Sequence, residues 1–275
     1  MIVAAERQEL SPLSRRLTGA QPLDLGVSWS LAGRLGSLPV VLATNRPGRR
    51  NAAAAVHRVA ARLSLRGIVS TGWCGGLDPT LRVAQIVVAD RVVSLATAGN
   101  GANQPLADAR RSVLSTVGIE PRRPLGTSGS GGDDPCPGLL DPAAEFPARV
   151  PVGPAAARGP VLTVDHFVRT PEEKRRLHAT GAIAVEMEAA AVAAEARRLD
   201  LPFFCIRAVS DSASASFTLG FSGARLADGR YSPARIVALA GLSPARWGEL
   251  LLLWRSARAA AQALGDYLGA CEFDC

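Results

Sequence analysis

Short apolar runs alternate with stretches of helical periodicity along most of the chain. The runs are continuous and rich in β-branched residues, which is typical of strands buried on both faces of a sheet. We predict strands over residues 1–5, 38–44, 67–71, 86–95, 161–164, 183–185 and 203–209. Strands that alternate with helices in this way favour a layered α/β fold.

Apolar residues at helical spacing predict the elements between these strands. We expect helices over residues 50–65, 106–117, 188–198 and 244–268, and a further helix that opens at Pro171 behind a Thr170 cap. Residues 72–76 read as a glycine turn. Residues 127–159 are rich in Gly, Pro, Ser, Asp and Ala, so we predict a flexible loop there.

The predicted C-terminal helix has one apolar face. The residues on it are Trp247, Leu250, Leu251, Trp254, Ala257, Ala261, Leu264 and Leu268. Docking of this face on the protein's own core is the interpretation we favour. The alternative is a surface that meets a partner or a membrane, because Arg246, Arg255 and Arg258 flank it.

Length and composition bound the class of protein. A chain of 275 residues that is 48% apolar has material for one sizeable core, so we predict a single domain over 1–275. No run approaches the roughly 18 uncharged apolar residues of a membrane-spanning helix. The first ten residues include Glu6 and Glu9 and show no charged-then-apolar leader, so we expect a cytoplasmic protein that contacts a membrane at most peripherally.

Charge and cysteine usage exclude two classes of partner. The net charge is +7, but the arginines are dispersed and no aromatic residues are interleaved with them, which argues against nucleic-acid binding. The five cysteines are odd in number and lack a C-x-x-C pair, and the three histidines are scattered. We therefore predict no metal site and no cofactor.

Three carboxylates stand where a solvated surface charge is unexpected. Glu9 follows the first strand, Glu188 lies between a buried strand and an alanine-rich helix, and Asp211 ends an apolar strand. Ligands of open α/β sheets bind at the carboxyl ends of strands, where these acids and the glycine turn both lie. Taken singly, Asp211 and Glu188 could be helix caps, and Glu9 could be a surface charge. Taken together, the three acids predict a ligand-binding site.

Three motifs in order carry a family resemblance. They are Ser-Thr-Gly-Trp-Cys-Gly-Gly-Leu-Asp-Pro-Thr-Leu-Arg-Val at 70–83, Ala-Ile-Ala-Val-Glu-Met-Glu-Ala at 182–189 and Ile-Arg-Ala-Val-Ser-Asp at 206–211. Together they resemble the methylthioadenosine/adenosylhomocysteine nucleosidases of the purine and uridine phosphorylase superfamily. The resemblance implies a three-layer α/β/α sandwich with a central mixed, twisted sheet, and an enzyme that cleaves a purine nucleoside, commonly as a homodimer.

The resemblance also implies roles for individual residues. Asp211 would protonate the leaving purine, and Ser210 would help to fix that base. Glu9 would activate water, and Arg207 would help to orient the water and Glu9. Glu188 would bind the ribose hydroxyls. The remaining substrate-binding positions that it implies are Met187 at the sugar, Phe167 and Val168 at the purine, and Gly72 and Trp73 in the glycine segment. Met187 and Phe167 are equally typical of a protein core.

Two further stretches resemble a narrower branch of the superfamily. Glu-Lys-Arg-Arg-Leu-His-Ala-Thr-Gly-Ala at 173–182 is one of them. The other is Leu-Ala-Asp-Gly-Arg followed by Leu-Ser-Pro-Ala-Arg-Trp and a long helix. Both are similar to the hopanoid-associated branch, which implies release of adenine from adenosylhopane, a lipid-linked nucleoside.

Water and phosphate are the two candidate nucleophiles. Ser70 and Trp73 stand where many hexameric phosphorylases place Arg and Ser, and an indole leaves little room or charge for phosphate. Arg46, Gly48 and Asn51 could still form an anion nest at a helix start. We expect hydrolysis, with phosphorolysis as the nearest alternative and a non-catalytic nucleoside-binding protein as the third.

Overall fold

The computed structural model describes residues 1–95, 144–217, 241 and 244–274. The strands are β1 (Ile2–Ala4), β2 (Thr18–Pro22), β3 (Trp29–Leu35), β4 (Leu38–Thr44), β5 (Ile68–Gly76), β6 (Ile86–Ser94), β7 (Glu145–Pro147), β8 (Ala157–Thr163), β9 (Ala184–Glu186) and β10 (Phe203–Asp211). The helices are α1 (Arg7–Ser14), α2 (Arg49–Ala60), α3 (Pro171–His178), α4 (Ala189–Arg198) and α5 (Pro244–Gly269).

These strands form one mixed sheet, as predicted. Its order is β10-β6-β8-β9-β5-β1-β4-β3-β2, with β7 added to β6. Strand β10 also pairs with β5, so one end of the sheet closes into a ring of β5, β10, β6, β8 and β9. Strands β1, β5 and β10 are mutually parallel, which brings their carboxyl ends to one edge.

Two helical layers cover the sheet. In β10, Cys205 and Val209 pack with α2 and α4, whereas Phe204 and Ile206 pack with α1 and α5. This alternation is the two-residue period of a strand whose faces are both buried. The predicted three-layer α/β/α architecture is therefore confirmed.

Helices α2 and α3 show how local sequence fixes the elements beside the site. Helix α2 buries Ala52, Ala55, Val56 and Val59, which lie on one face because they recur at three- and four-residue steps. Helix α3 begins at Pro171 behind Thr170, whose side chain accepts a hydrogen bond from the backbone N–H of Glu173.

Several predicted boundaries differ from the structure. Residues 72–76 are not a turn but the end of β5, because they continue its pairing with β10. The loop predicted over 127–159 is interrupted in its described part by β7 and by the start of β8, which both pair with β6. The sequence patterns also missed α1, β2 and β3. Residues 106–117 and 127–143 lie outside the described residues.

Helix α5 divides into two halves. Its C-terminal half buries Ala261, Leu264 and Leu268 against α1 and the sheet, as predicted for docking on the core. Its N-terminal half leaves Trp247, Leu251, Leu252 and Trp254 exposed by 45%, 47%, 65% and 57%. Of the helices in the described ranges, none combines the length and apolar character that crossing a membrane requires.

Candidate functional site

A cavity of about 1030 Å³ opens at the edge where β1, β5 and β10 end. The predicted site residues that line it are Glu9, Trp73, Phe167, Val168, Met187, Glu188, Ser210 and Asp211. Gly72 and Arg207 lie directly behind this wall, next to Glu9. The structure thus brings all ten predicted residues together, although they come from five separate segments of the chain.

Glu9 is held by the backbone at the start of α1. One carboxylate oxygen accepts a hydrogen bond from Glu6 N at 2.7 Å and the other from Trp73 N at 2.9 Å. Burial raises the pKa of Glu9 to about 7, although these two backbone hydrogen bonds and Arg207 oppose the shift. Glu9 therefore exchanges a proton near neutral pH.

Gly72 leaves the room that Glu9 needs. Its φ is +138°, and a Cβ atom at this position would lie 2.6 Å from Glu9 Oε1 and 3.0 Å from Arg207 Nη1. A side chain here would displace the carboxylate from the cavity and strain the backbone. Gly72 thus acts on the site through the position of Glu9.

Arg207 and Glu186 form a buried ion pair beneath the cavity. Arg207 Nη2 donates to Glu186 Oε2 and to Ser70 Oγ, each at 2.7 Å. Glu186 also accepts hydrogen bonds from the backbone N–H groups of Glu188 and Ala189 and from the Thr163 hydroxyl. This network fixes the junction between β9 and α4, where Glu188 begins the helix.

Glu188 accepts a hydrogen bond from Gly48 N at 2.7 Å and keeps part of its surface open to the cavity. Burial, followed by the charge of Glu186, raises the pKa of Glu188 to about 7. Two donors of the anion nest predicted around Arg46, Gly48 and Asn51 are already used within the protein. Its Gly48 N–H is used by Glu188, and the Asn51 side-chain amide donates to Pro47 O.

Asp211 ends β10 with both carboxylate oxygens engaged. Oδ1 accepts a hydrogen bond from Ser210 Oγ at 2.7 Å, and Oδ2 accepts one from Lys174 Nζ. Ser210 therefore contacts Asp211 directly, and its predicted role at the purine base stays a prediction. The prediction that Asp211 is a buried site carboxylate agrees with its 6% exposure.

Aromatic and aliphatic side chains form the remaining wall. Phe167 lines the cavity and its ring lies 5.5 Å from that of Phe217, while Val168 is buried beside it. Met187 and Trp73 are half-buried and face the same space. Indole and phenyl surfaces suit a flat purine and an apolar substituent better than a hydrated anion.

The charges around the cavity disfavour phosphate. Glu9, Glu186 and Glu188 are three carboxylates in one cluster, and Arg207, on which the charges of all three act, is already paired with Glu186. The Ser70 hydroxyl is also engaged, because it accepts a hydrogen bond from Arg207. A phosphate dianion beside Glu9 would meet like charge in a poorly solvated place.

Two residues of the site were missed by sequence reasoning. Glu186 is the first acid of Val-Glu-Met-Glu, and its position at the start of α4 was the available signal. Lys174 is the only lysine in the chain, yet it stands in a run of charged residues that is typical of a solvated helix face. In the described ranges, no group of three or more His, Cys, Asp and Glu side chains is arranged to hold a metal ion.

Comparison with known proteins identifies relatives of the chain. The 5'-methylthioadenosine/S-adenosylhomocysteine nucleosidase of Mycobacterium tuberculosis is 32% identical over 228 residues, which cover 80% of this chain and 88% of that protein. The corresponding nucleosidase of Listeria monocytogenes is 29% identical over 229 residues, covering 80% and 89%. These relatives are N-glycosyl hydrolases by name, which confirms the predicted class of enzyme.

Solved structures confirm the fold. The nucleosidase of Neisseria meningitidis in complex with methylthio-immucillin-A superposes with a TM-score of 0.57 at 21% identity, covering 96% of this chain and 97% of that one. The Streptococcus pneumoniae nucleosidase with 8-aminoadenine gives 0.58 at 21%, covering 98% of each chain. A profile of the phosphorylase superfamily matches residues 3–238, and the chain belongs to that superfamily.

Proposed function

We propose that the chain is a nucleosidase that hydrolyses the N-glycosidic bond of an adenosine-type nucleoside and releases adenine. The observation that carries the proposal is the convergence of Glu9 and Asp211 on one cavity with an aromatic wall. Hydrolysis of a glycosidic bond needs a base for water and an acid for the leaving group, and two carboxyl groups commonly supply them.

Asp211 acts on the leaving group. As the bond breaks, negative charge builds on the purine, and a proton from the Asp211 carboxyl to a nitrogen of the five-membered ring lets adenine leave as a neutral base. The Ser210 hydroxyl holds one carboxyl oxygen at 2.7 Å and keeps the group aimed at the base. Phe167 and Val168 line the place of the purine.

Glu9 acts on the water that attacks the sugar. A carboxylate whose pKa is about 7 is a stronger base than an exposed glutamate, and about half of it is ionised at neutral pH. It accepts the proton of the water as oxygen bonds to the anomeric carbon. Glu188 accepts hydrogen bonds from the ribose hydroxyls, and Met187 packs against the sugar. Water is favoured over phosphate because of the carboxylate cluster around Glu9.

We further propose that the substrate is adenosylhopane, which would be converted to ribosylhopane. A cavity of about 1030 Å³ is at the upper end of the roughly 300–1,000 Å³ of pockets for drug-sized ligands, and is generous for a small nucleoside. Trp73 and Trp254 both line it, so an apolar group on the fifth carbon of ribose would meet indole surface.

Substrate preference tests this proposal. We expect adenine release from adenosylhopane to exceed that from methylthioadenosine and adenosylhomocysteine in kcat/KM, measured by separating free adenine from each mixture. Preference for either small nucleoside would contradict the lipid-linked substrate and leave the nucleosidase proposal intact. Tight binding of all three without release of adenine would instead favour the non-catalytic nucleoside-binding protein.

The exposed half of α5 suggests where such a substrate is collected. Trp247, Leu251 and Leu252 form an exposed apolar surface, and Trp254 belongs both to it and to the cavity wall. Arg258 lies over the Trp254 ring at 5.5 Å and adds positive charge beside the apolar surface. We propose that this surface contacts an anionic membrane peripherally.

A pair of substitutions that replaces apolar side chains with negative charge tests the membrane contact. In the Leu251→Glu/Leu252→Glu variant we expect binding to phosphatidylglycerol vesicles to fall more than tenfold, since each buried leucine is worth about 1.5 kcal/mol or more. Turnover of soluble methylthioadenosine should be unchanged. Ala259→Glu, on the exposed side of the docked half of α5, is the control. Equal vesicle binding by all three proteins in a sedimentation assay would contradict the proposal.

A further inference from the structure

Lys174 is a fully buried cation in an otherwise exposed run of charges. Helix α3 contains Glu172, Glu173, Lys174, Arg175 and Arg176 in succession, and of these only Lys174 is 0% exposed. It lies on the inner face of α3 with Leu177, three residues later. The helix therefore directs one of five charged side chains into the protein.

The buried ammonium group ends at the site carboxyl. Lys174 Nζ donates to Asp211 Oδ2 and, at 2.6 Å, to Ser212 O, and it lies 5.8 Å from the centre of the Phe217 ring. Gly75 gives the pair its space, since a Cβ atom there would lie 3.1 Å from Asp211 Oδ2.

Such a pair is a poor means of stabilising a fold. Removing two charges from water costs about as much as their attraction returns, so packed apolar side chains serve at least equally well. Because the pair includes the site carboxyl of Asp211, a role in the reaction accounts for the buried Lys174 better than a role in stability. We propose that Lys174 is a positioning residue that fixes the Asp211 carboxyl and offsets the negative charge that Asp211 acquires on protonating the leaving purine. This inference rests on the proposed nucleosidase function.

The step balances with Lys174 unchanged. The O–H bond of the Asp211 carboxyl breaks, an N–H bond forms on the purine, and the electron pair of the glycosidic bond stays with the base. The ammonium group keeps its protons and faces the new carboxylate. Ser210 also holds the Asp211 carboxyl, through a hydrogen bond to its other oxygen.

Lys174→Met tests the inference, because methionine keeps the bulk and removes the charge. We expect kcat for adenine release to fall roughly 100-fold with KM little changed, the size of loss when one preorganised donor to a developing negative charge is removed. Lys174→Gln keeps a donor without charge and serves if the methionine variant does not fold. Arg176→Met, on the exposed face of α3, is the matched control.

A double-mutant cycle separates positioning from mere structural support. If Lys174 acts through Asp211, Lys174→Met should cost little in an Asp211→Asn background. Full activity of Lys174→Met would overturn the inference. So would a double variant whose loss of kcat is the product of the two single losses. In either case, adenine release by the wild-type protein would still support the nucleosidase function. No adenine release by the wild-type protein from any nucleoside would overturn both.

Discussion

Asp211→Asn is expected to lower kcat for adenine release by about 10³-fold, because the amide has no acidic proton to give to the purine. The fold should survive. Asparagine can direct its carbonyl oxygen to Lys174 and its NH₂ group to the Ser210 hydroxyl, which rotates to accept. The measurement is steady-state adenine release, with thermal unfolding as the check on folding.

Asp200→Asn makes the same chemical change on the exposed loop after α4 and is the matched control. It should keep wild-type kcat and KM. Wild-type kcat in Asp211→Asn would show that another group protonates the purine, and would remove Asp211 from the mechanism.

Glu9→Gln is expected to lower kcat by a similar factor, about 10³-fold, because the amide cannot accept the proton of the attacking water. Binding of adenine should change little, since Glu9 is proposed to act on the sugar side. The variant loses one of the two backbone hydrogen bonds to the carboxylate, which costs about 1 kcal/mol of stability. Comparing kcat with the dissociation constant of adenine separates the two effects. Glu172→Gln, exposed on α3, is the control.

The raised pKa of Glu9 sets the direction of the pH dependence in this prediction. Glu9 must be ionised to accept a proton, so wild-type kcat/KM should fall as pH decreases through about 7. In Glu9→Gln, the residual kcat/KM should fall less steeply as pH decreases through about 7, because Glu9 no longer titrates. Glu188, whose pKa is also raised to about 7, would supply what remains. An unchanged acid limb in Glu9→Gln would assign it to another group.

The positions of the three acids were predictable because topology fixes them. Strands β1 and β10 are parallel to β5, so residues that follow or end them reach the same edge of the sheet. Glu9 and Asp211 meet for that reason. Glu188 also follows from local sequence, since a buried strand turns there into an alanine-rich helix.

Other features depend on contacts that local patterns do not encode. Helix α1 has only eight residues and contains Pro12, so its periodicity is too weak to predict a helix. Strand β2 is exposed along its whole length and lacks the apolar alternation of a half-buried strand. The closure of the sheet depends on the pairing of β5 with β10, which are more than a hundred residues apart.

Lys174 and α5 show the same limit within the site. A run of five charged residues predicts a solvated face. Only the packing of α3, whose Leu177 lies against Leu162 of β8 and Val185 of β9, turns Lys174 to Asp211. Apolar periodicity in α5 predicts one buried face, but the sheet and α1 cover only its C-terminal half. Periodicity specifies which residues share a face and not what lies opposite.

Turnover in H₂¹⁸O, with and without inorganic phosphate, tests the central claim most directly. Mass spectrometry of the products should show free adenine and a sugar that carries one ¹⁸O at the anomeric carbon, at a rate independent of phosphate. Formation of a sugar 1-phosphate, at a rate that requires phosphate, would contradict hydrolysis and the role of Glu9 as the base that activates water.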